Sequence, residues 1–286
     1  MNCNYCGKPL DQPTKGRRKE YCNDACRQAG NRKRQRNADE LNRITPQVYV
    51  GDNLLHLPRL PDASVDLVAI DPPYNKGKAE WDNLGAAPAY RDWIQLRLVH
   101  CQRVLKASGN LFVFGQQPYL HEVMTILLER LHFQRYIVWD KRQGPPVRDH
   151  ALKITNEDLL WFSKSESPYM SREGAQIERD FENIRRYGGK IFDMKNLGTV
   201  WNVPPLIGEG RADLHETQKP VDLMSRIIAI ACPADGVVLD CFGGTGTTSV
   251  AAMQLGRQSI YMENDPGYAA VARKRFERES NRISLV

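Results

Sequence analysis

A chain of 286 residues with a net charge of +6 is long enough to bury one sizeable α/β core and a small appendage. No run of about 18 apolar residues occurs, so no segment reads as a membrane-spanning helix, and no charged-then-apolar leader with a cleavage site opens the chain, which argues against export. Seven cysteines, an odd number without such a leader, fit reduced thiols in a cytosol better than a disulfide framework.

The first segment stands apart. Residues 1–45 hold eleven Lys/Arg against five Asp/Glu, so the whole net charge of +6 lies there and the remainder is neutral. Cys3 and Cys6, then Cys22 and Cys26, give the spacing C-x2-C-x15-C-x3-C. Two close pairs across a Gly/Pro/Lys-rich loop can place four thiolates tetrahedrally around one structural Zn2+. A segment too short for its own hydrophobic core needs such a staple. Cys26 to Asn37, dense in Arg and Lys, reads as a helix behind the metal site, which makes 1–37 a zinc module with a basic helix. Ala38 to Pro46 reads as a linker into a larger unit spanning 47–286. Cys101, Cys232 and Cys241 lie in apolar surroundings and read as core thiols.

In the larger unit, the apolar run Val65 to Ile70 predicts a buried parallel strand. It ends in Asp71-Pro72-Pro73-Tyr74, at the edge where open α/β sheets bind ligands. A carboxylate, two rigid prolines and an aromatic ring suit a planar heterocycle bearing an exocyclic amino group. The ring can stack, and the carboxylate and a proline carbonyl can accept two N–H bonds. Tyr90 to Lys106 has helical periodicity, Leu111 to Phe114 predicts a strand, and Pro118 to Arg130 a helix. Phe133 to Trp139 and Asp158 to Phe162 read as strands. Residues 165 to about 210 have no steady period and carry Arg172, Arg179, Arg185, Arg186, Tyr187, Lys190 and Lys195, with Arg211 just beyond. A long irregular stretch of this kind is usually functional.

His215-Glu216-Thr217-Gln218-Lys219-Pro220 precedes a predicted helix, Val221 to Ala231. Helix amino ends and a nearby Lys suit a carboxylate ligand. The strand Val237 to Leu239 then leads into Asp240-Cys241-Phe242-Gly243-Gly244-Thr245-Gly246-Thr247-Thr248, which opens a helix running to about Leu255. Glycines there permit positive φ and close backbone approach to a ligand. Glu263 ends a third strand, Gln258 to Met262, where an acid would hold ribose hydroxyls. A dinucleotide fold fails, because its third glycine would fall at Ser249 and only forty residues follow Gly246. A P-loop fails because no Lys follows the glycines. The sheet must recruit its other strands from upstream, including the one that carries Asp71.

In this order the three motifs resemble the amino-methylating DNA methyltransferases of the β class, in which the catalytic motif precedes the glycine-rich S-adenosylmethionine loop. The resemblance covers roughly 46–286 and is supported by Gly51-Asp52, Leu60 to Asp66, Val138 to Lys141, Trp161 to Lys164 and Val200 to Pro204. Cys241 departs from it, standing where a proline is common. The resemblance implies an α/β, Rossmann-like S-adenosylmethionine-dependent methyltransferase fold, a mostly parallel sheet with helices on both faces, over 47–286. It makes 165–210 the target-recognition insertion.

It further implies that Asp71, Pro72, Pro73 and Tyr74 act on the target amine. Asp52 would reach the cofactor adenine and Glu263 its ribose. Asp240, Phe242, Gly243, Gly244, Thr245, Gly246 and Thr247, with Thr217, Gln218 and Lys219, would hold the rest, and Asp71 borders that site. Asp at the head of the tetrapeptide is the family's pattern for adenine N6, Ser being commoner for cytosine N4. The expected activity is therefore adenine-N6 methylation of double-stranded DNA by base flipping. Cytosine N4, RNA or protein amides, and an inactive DNA-binding module are the alternatives. Beside such an enzyme the basic amino-terminal block reads as a phosphate-binding arm. A cytoplasmic, nucleoid-associated place follows, and the resemblance admits a homodimer and a companion restriction endonuclease as partners.

Overall fold

The computed structural model describes residues 2–4, 6–10, 20–77, 82–142, 144, 152–178, 185–187, 190–192, 194–206 and 218–284. The first long element is α1, Asp24–Ile44, capped by the Asn23 side chain, which accepts from Cys26 N at 2.7 Å. The stretch 38–46, expected to be a linker, is instead mostly the last turns of this helix. Its Ala, Asp, Glu and Leu residues favour or tolerate helix, and Gln35 donates to Asp39 at 2.8 Å and Arg43 to Glu40 at 2.6 Å along the surface. The end docks on the main body. Ile44 is buried, and Arg43 Nη2 donates to the Gly256 carbonyl at 2.9 Å.

The main sheet has eight strands. They are β1 (Gln47–Val50), β2 (Val65–Ile70), β3 (Leu105–Gly115), β4 (His132–Asp140), β5 (Asn156–Ser163), β10 (Val200–Asn202), β11 (Val237–Asp240) and β12 (Gln258–Glu263), in the order β1-β12-β11-β2-β3-β5-β4-β10. β5 pairs antiparallel with both of its neighbours, and every other pairing is parallel. All six residues of β2 are buried, as a central parallel strand covered on both faces requires. Val68 and Ile70 face a core shared with α3 (Ala87–Val104) and α4 (Leu120–Leu128). Leu67 and Ala69 face the other core, shared with α5 (Val221–Ala231) and α6 (Thr247–Gln254). The last helix, α7 (Pro266–Ser284), packs through Ala269, Ala272 and Phe276 against Val250 and Tyr261.

The predicted strands and helices fall where expected, with β3 longer than read and β1, β10 and α7 not foreseen. The described part of 165–210 is less irregular than its sequence suggests. It holds two three-residue pairs, β6 (Gln176–Glu178) with β9 (Met194–Asn196) and β7 (Arg185–Tyr187) with β8 (Lys190–Phe192), before β10 joins the edge of the main sheet. Arg179, Arg211, Lys15, Arg17, Arg18, Lys19, His215, Glu216 and Thr217 lie outside the described residues.

β2 and β11 lie side by side at the sheet's centre, with β3 on one flank and β12 on the other. Their carboxyl ends open a crevice, as at the switch points of other open α/β sheets. Because β5 runs the other way, its beginning and not its end reaches the same edge, beside the end of β4. Glu157 is paired with Trp139.

Candidate functional site

A cavity of about 570 Å3 occupies that crevice. The strand ends supply its charges: Asp71 after β2, Asp240 on β11, Glu263 on β12, Glu157 on β5 and Asp52 just past β1. Two halves can be distinguished by what lines them.

In the first half Asp71 is the hub. Its Oδ2 accepts from Lys219 Nζ at 2.5 Å and its Oδ1 from the Tyr74 hydroxyl at 2.6 Å. Lys219 also lies 3.1 Å from Glu157 Oε2, and Lys141 Nζ donates to Glu157 Oε1 at 2.9 Å. The Tyr74 hydroxyl is 3.1 Å from Glu157 Oε2. Burial pulls the Lys219 ammonium down, but the carboxylates of Asp71 and Glu157 outweigh it and lift it above the usual lysine range. Burial likewise opposes ionisation of Glu157, and the ammoniums of Lys219 and Lys141 overcome it, holding the carboxyl at about 2. Burial first, then the two carboxylates, push the Tyr74 phenol well up, so it stays a donor. Behind it, Asn75 at φ 56° donates through its backbone N–H to Asp82 Oδ1 and through its side chain to the Gly85 carbonyl, each at 2.8 Å, and the Tyr90 hydroxyl donates to the Pro73 carbonyl at 3.1 Å.

In the second half the glycine loop turns between β11 and α6. Gly244 has φ 49° and Gly246 φ 83°, the left-handed region that favours glycine. Gly243 is glycine for a different reason from the one expected. Its φ is ordinary, but a Cβ there would collide with the Tyr261 ring. Glu263 Oε2 accepts from Gly244 N at 2.7 Å, and burial raises its carboxyl. Asp240 accepts from Phe242 N and the Thr248 hydroxyl, and burial pushes it up to about 7 against those bonds. Gln218 accepts from the Thr245 hydroxyl at 2.9 Å. The Thr245 and Thr247 hydroxyls are also within 3.2 Å of Arg275 Nη1. Asp52 is the N-cap of a short helical turn, α2 (Asn53–His56), and pairs with Arg97 at 3.1 Å, whose guanidinium stacks 3.9 Å over Trp93.

These residues fit S-adenosylmethionine. Asn53, whose amide nitrogen donates to the Cys241 carbonyl at 2.8 Å, and Arg97 also line the cavity. The Glu263 carboxylate suits hydroxyls, and Trp93 and Phe242, 5.7 Å apart, offer ring faces. Of the expected site residues, all but Thr217 are described. Asp71, Lys219 and Tyr74 are in direct contact, and Asp52, Gln218, Asp240 and the loop surround the rest of one cavity.

A second cluster lies in the amino-terminal segment. The sulfurs of Cys3, Cys6, Cys22 and Cys26 all lie within 4.8 Å of one another, with Cys22 to Cys26 at 3.2 Å and Cys6 to Cys22 at 3.6 Å. Zn–S bonds of about 2.3 Å place tetrahedral sulfurs about 3.8 Å apart, so four thiolates here fit one Zn2+. A tight turn supports Cys3, with Gly7 N donating to its carbonyl at 3.0 Å and its own N–H donating to Lys8 O at 2.8 Å.

A family model described as DNA methylase, of the N6 and N4 type, matches residues 65–274. The chain belongs to the N6/N4 DNA methylase family. It is 29% identical to the type II methyltransferase M1.MboII of Moraxella bovis over 232 residues, 74% of this chain and 89% of that protein. Its fold matches the PvuII DNA methyltransferase, named as cytosine-N4-specific, with TM-score 0.66 and 21% identity over 84% of this chain and 93% of that one. It also matches M1.HpyAVI, solved as a complex with S-adenosylmethionine, with TM-score 0.58 and 23% identity over 80% and 98% of the two chains. The last two likenesses show the fold: a mostly parallel α/β sheet of the methyltransferase type.

Within this methylase, sequence reasoning missed Glu157, Asn53, Trp93 and Arg97 as cleft residues. Glu157 was hidden by the reversal of β5, since no pattern in one strand reveals which end faces the cleft, and Lys141, just after β4, is tied to the site through Glu157. Arg97 carried a legible signal: a basic residue four positions after Trp93 on the face of a helix otherwise buried through Tyr90, Ile94, Leu98 and Cys101.

Proposed function

We propose that this methylase transfers a methyl group from S-adenosylmethionine to N6 of an adenine flipped out of double-stranded DNA. The observation that carries the reading is the Asp71 carboxylate at the mouth of β2, ringed by Tyr74 and Lys219, in one cavity with the glycine loop and Glu263. When bound, the cofactor supplies a methyl group already activated on a sulfonium, so the chain needs neither a covalent intermediate nor a catalytic metal. Its residues act on the nucleophile. Asp71 and the Pro72 carbonyl accept the two N–H bonds of the target amine, favour a tetrahedral nitrogen and aim its lone pair. Tyr74 stacks on the flipped base, whose extrusion costs a few kcal/mol. Glu263 and Asp52 hold the nucleoside end of the cofactor, with the loop from Asp240 to Thr247 and Thr217, Gln218 and Lys219 toward its methionine end.

The choice of adenine rests on Asp71 heading the tetrapeptide. Cytosine N4 is the second reading, favoured by the fold likeness to a cytosine-N4 enzyme. Incubating duplex oligonucleotides with labelled cofactor, digesting to nucleosides and identifying the labelled one separates them. N6-methyl-2′-deoxyadenosine is expected, and N4-methyl-2′-deoxycytidine would replace the reading with the second.

The four-cysteine cluster is read as one structural Zn2+ site closing residues 1–37 into a module. The helix behind it is read as a DNA arm. Arg27, Arg32, Lys33 and Arg36 are all exposed, and from Asn31 to Glu40 no described side chain of α1 is buried. A helix polar all round is a solvent-bridging element, and one so basic suits the phosphates of the substrate duplex. One zinc per purified chain, lost when the four cysteines become serine, is the expected result of metal analysis. Metal-free protein with four freely reactive thiols would remove the module.

A further inference from the structure

Glu157 is a charged group of the cleft to which the reaction above gives no role. Its side chain is 12% exposed, and its oxygens are shared among three neighbours: Lys141 at 2.9 Å, and Lys219 and the Tyr74 hydroxyl at 3.1 Å each. The Tyr74 hydroxyl has one proton and two carboxylates within reach, Asp71 at 2.6 Å and Glu157 at 3.1 Å, and can donate to only one at a time. Asp71 meanwhile has one oxygen engaged by Tyr74 and the other by Lys219. An amine arriving at Asp71 must share or displace those bonds. Displacing Tyr74 into an apolar wall would leave a buried hydroxyl unpaired, at the full cost of its desolvation.

We propose that Glu157 is a positioning residue for methyl transfer: it takes over the Tyr74 hydroxyl when the target amine engages Asp71. The ring on which the base stacks then stays in place while the carboxylate beside it changes partners. Lys141 fixes the far oxygen of Glu157 and so holds the receiving oxygen still. With its carboxyl held at about 2 by the two ammoniums, against burial, Glu157 is an acceptor across the whole working range of pH. The proposal rests on Asp71 receiving the amine, and it holds whether that amine belongs to adenine or cytosine.

The test is a double-mutant cycle of Glu157→Gln and Tyr74→Phe in the full chain. It is read as kcat at saturating cofactor and duplex DNA, with calorimetric cofactor affinity alongside. Glu157→Gln is expected to lower kcat about tenfold to a hundredfold and leave cofactor affinity within about twofold, since misplacement at the reacting centre is felt in the rate. In the Tyr74→Phe background, where no hydroxyl remains to be received, the same change should cost less than about threefold, the mark of coupled neighbours. Equal reductions in both backgrounds, an unchanged kcat, or a fall in cofactor affinity matching the fall in kcat would each overturn the proposal. If Glu157→Gln does not fold, Lys141→Met replaces it in the same cycle, with a reduction of about threefold to tenfold expected only where Tyr74 is present. Asp71→Ala keeps the two failures apart: turnover surviving that change sinks the underlying role of Asp71, whereas an inactive Asp71→Ala with an additive cycle sinks Glu157 alone.

Discussion

Lys219 and Glu157 have side chains 7% and 12% exposed, and each lies within 3.1 Å of an opposite charge. On α1 the neighbouring pair Arg27 and Asp24 is 60% and 79% exposed, and Arg32, Lys33 and Arg36 stand in water. The same residue types therefore obey different physics at the two ends of the molecule. In the cleft, low dielectric makes every pairing strong and every unpaired group costly, so charges fix geometry. Along the arm, water and salt screen them, so an isolated pair is worth roughly 0–1 kcal/mol, and a row of cations acts as a field toward a polyanion.

The sharpest break of the comparison is in the cleft. Asp71→Ala should lower methyl transfer about a thousandfold or more while calorimetric cofactor affinity stays within several-fold, because the carboxylate acts on the amine. Near-normal turnover would end the mechanism. The glycine loop comes next. Gly246→Val forces a β-branched residue into φ 83° and drives its Cβ to within 2.7 Å of Phe276, so both the thermal midpoint and cofactor affinity should fall. Glu263→Ala should reduce cofactor affinity without the packing penalty. Equal affinity in wild type and both variants would move the cofactor elsewhere.

The arm is sharpened by salt. Replacing Arg27, Arg32, Lys33 and Arg36 with Gln should leave cofactor affinity intact and weaken duplex binding. It should also flatten the log–log salt dependence by about 0.9 for each phosphate that is no longer neutralised. A changed assembly size with an unchanged slope would make the arm a protein-binding surface instead.

The smallest effect is a pH dependence. Burial raises Asp240 from an ordinary 3.8 to about 7, so the folded state binds its proton more tightly than the unfolded chain. Its contribution is full below about pH 4 and is lost as pH rises toward about 7. Asp240→Asn should flatten thermal stability across that window. An unaltered pH profile would show that Asp240 is not held protonated.

How much of this was legible follows from where each residue sits. The run from Val65 to Tyr74 could be read because a buried central strand is apolar without interruption and its end is punctuated by prolines. The loop from Asp240 to Thr248 was legible as a set of glycines, yet Gly243 serves Tyr261 rather than backbone freedom, and only packing reveals that. Glu157 and Lys141 could not be assigned, since their roles depend on strand order and on the one reversal in the sheet. The helix through Ile44 was misread because Ala38 to Pro46 is polar enough for a linker. What ends the helix is local: Pro46 disfavours helical backbone at Thr45, which is extended at ψ 128°, and Ile44 and Arg43 dock on the body just before it.

That unbroken helix has a consequence for orientation. A flexible tether would let the thiol cluster wander, but an α-helix advances about 1.5 Å and turns about 100° per residue. From Cys26 to Ile44 the cluster's bearing relative to the cleft is thus set by the number of residues between them, as a key's teeth are set by its shaft. Adding one residue in the exposed middle would swing the cluster about 100° around the axis. Adding seven would return it to within about 20° of its first bearing while carrying it about 10 Å farther out. Reach and facing can therefore be varied separately, by counting residues alone.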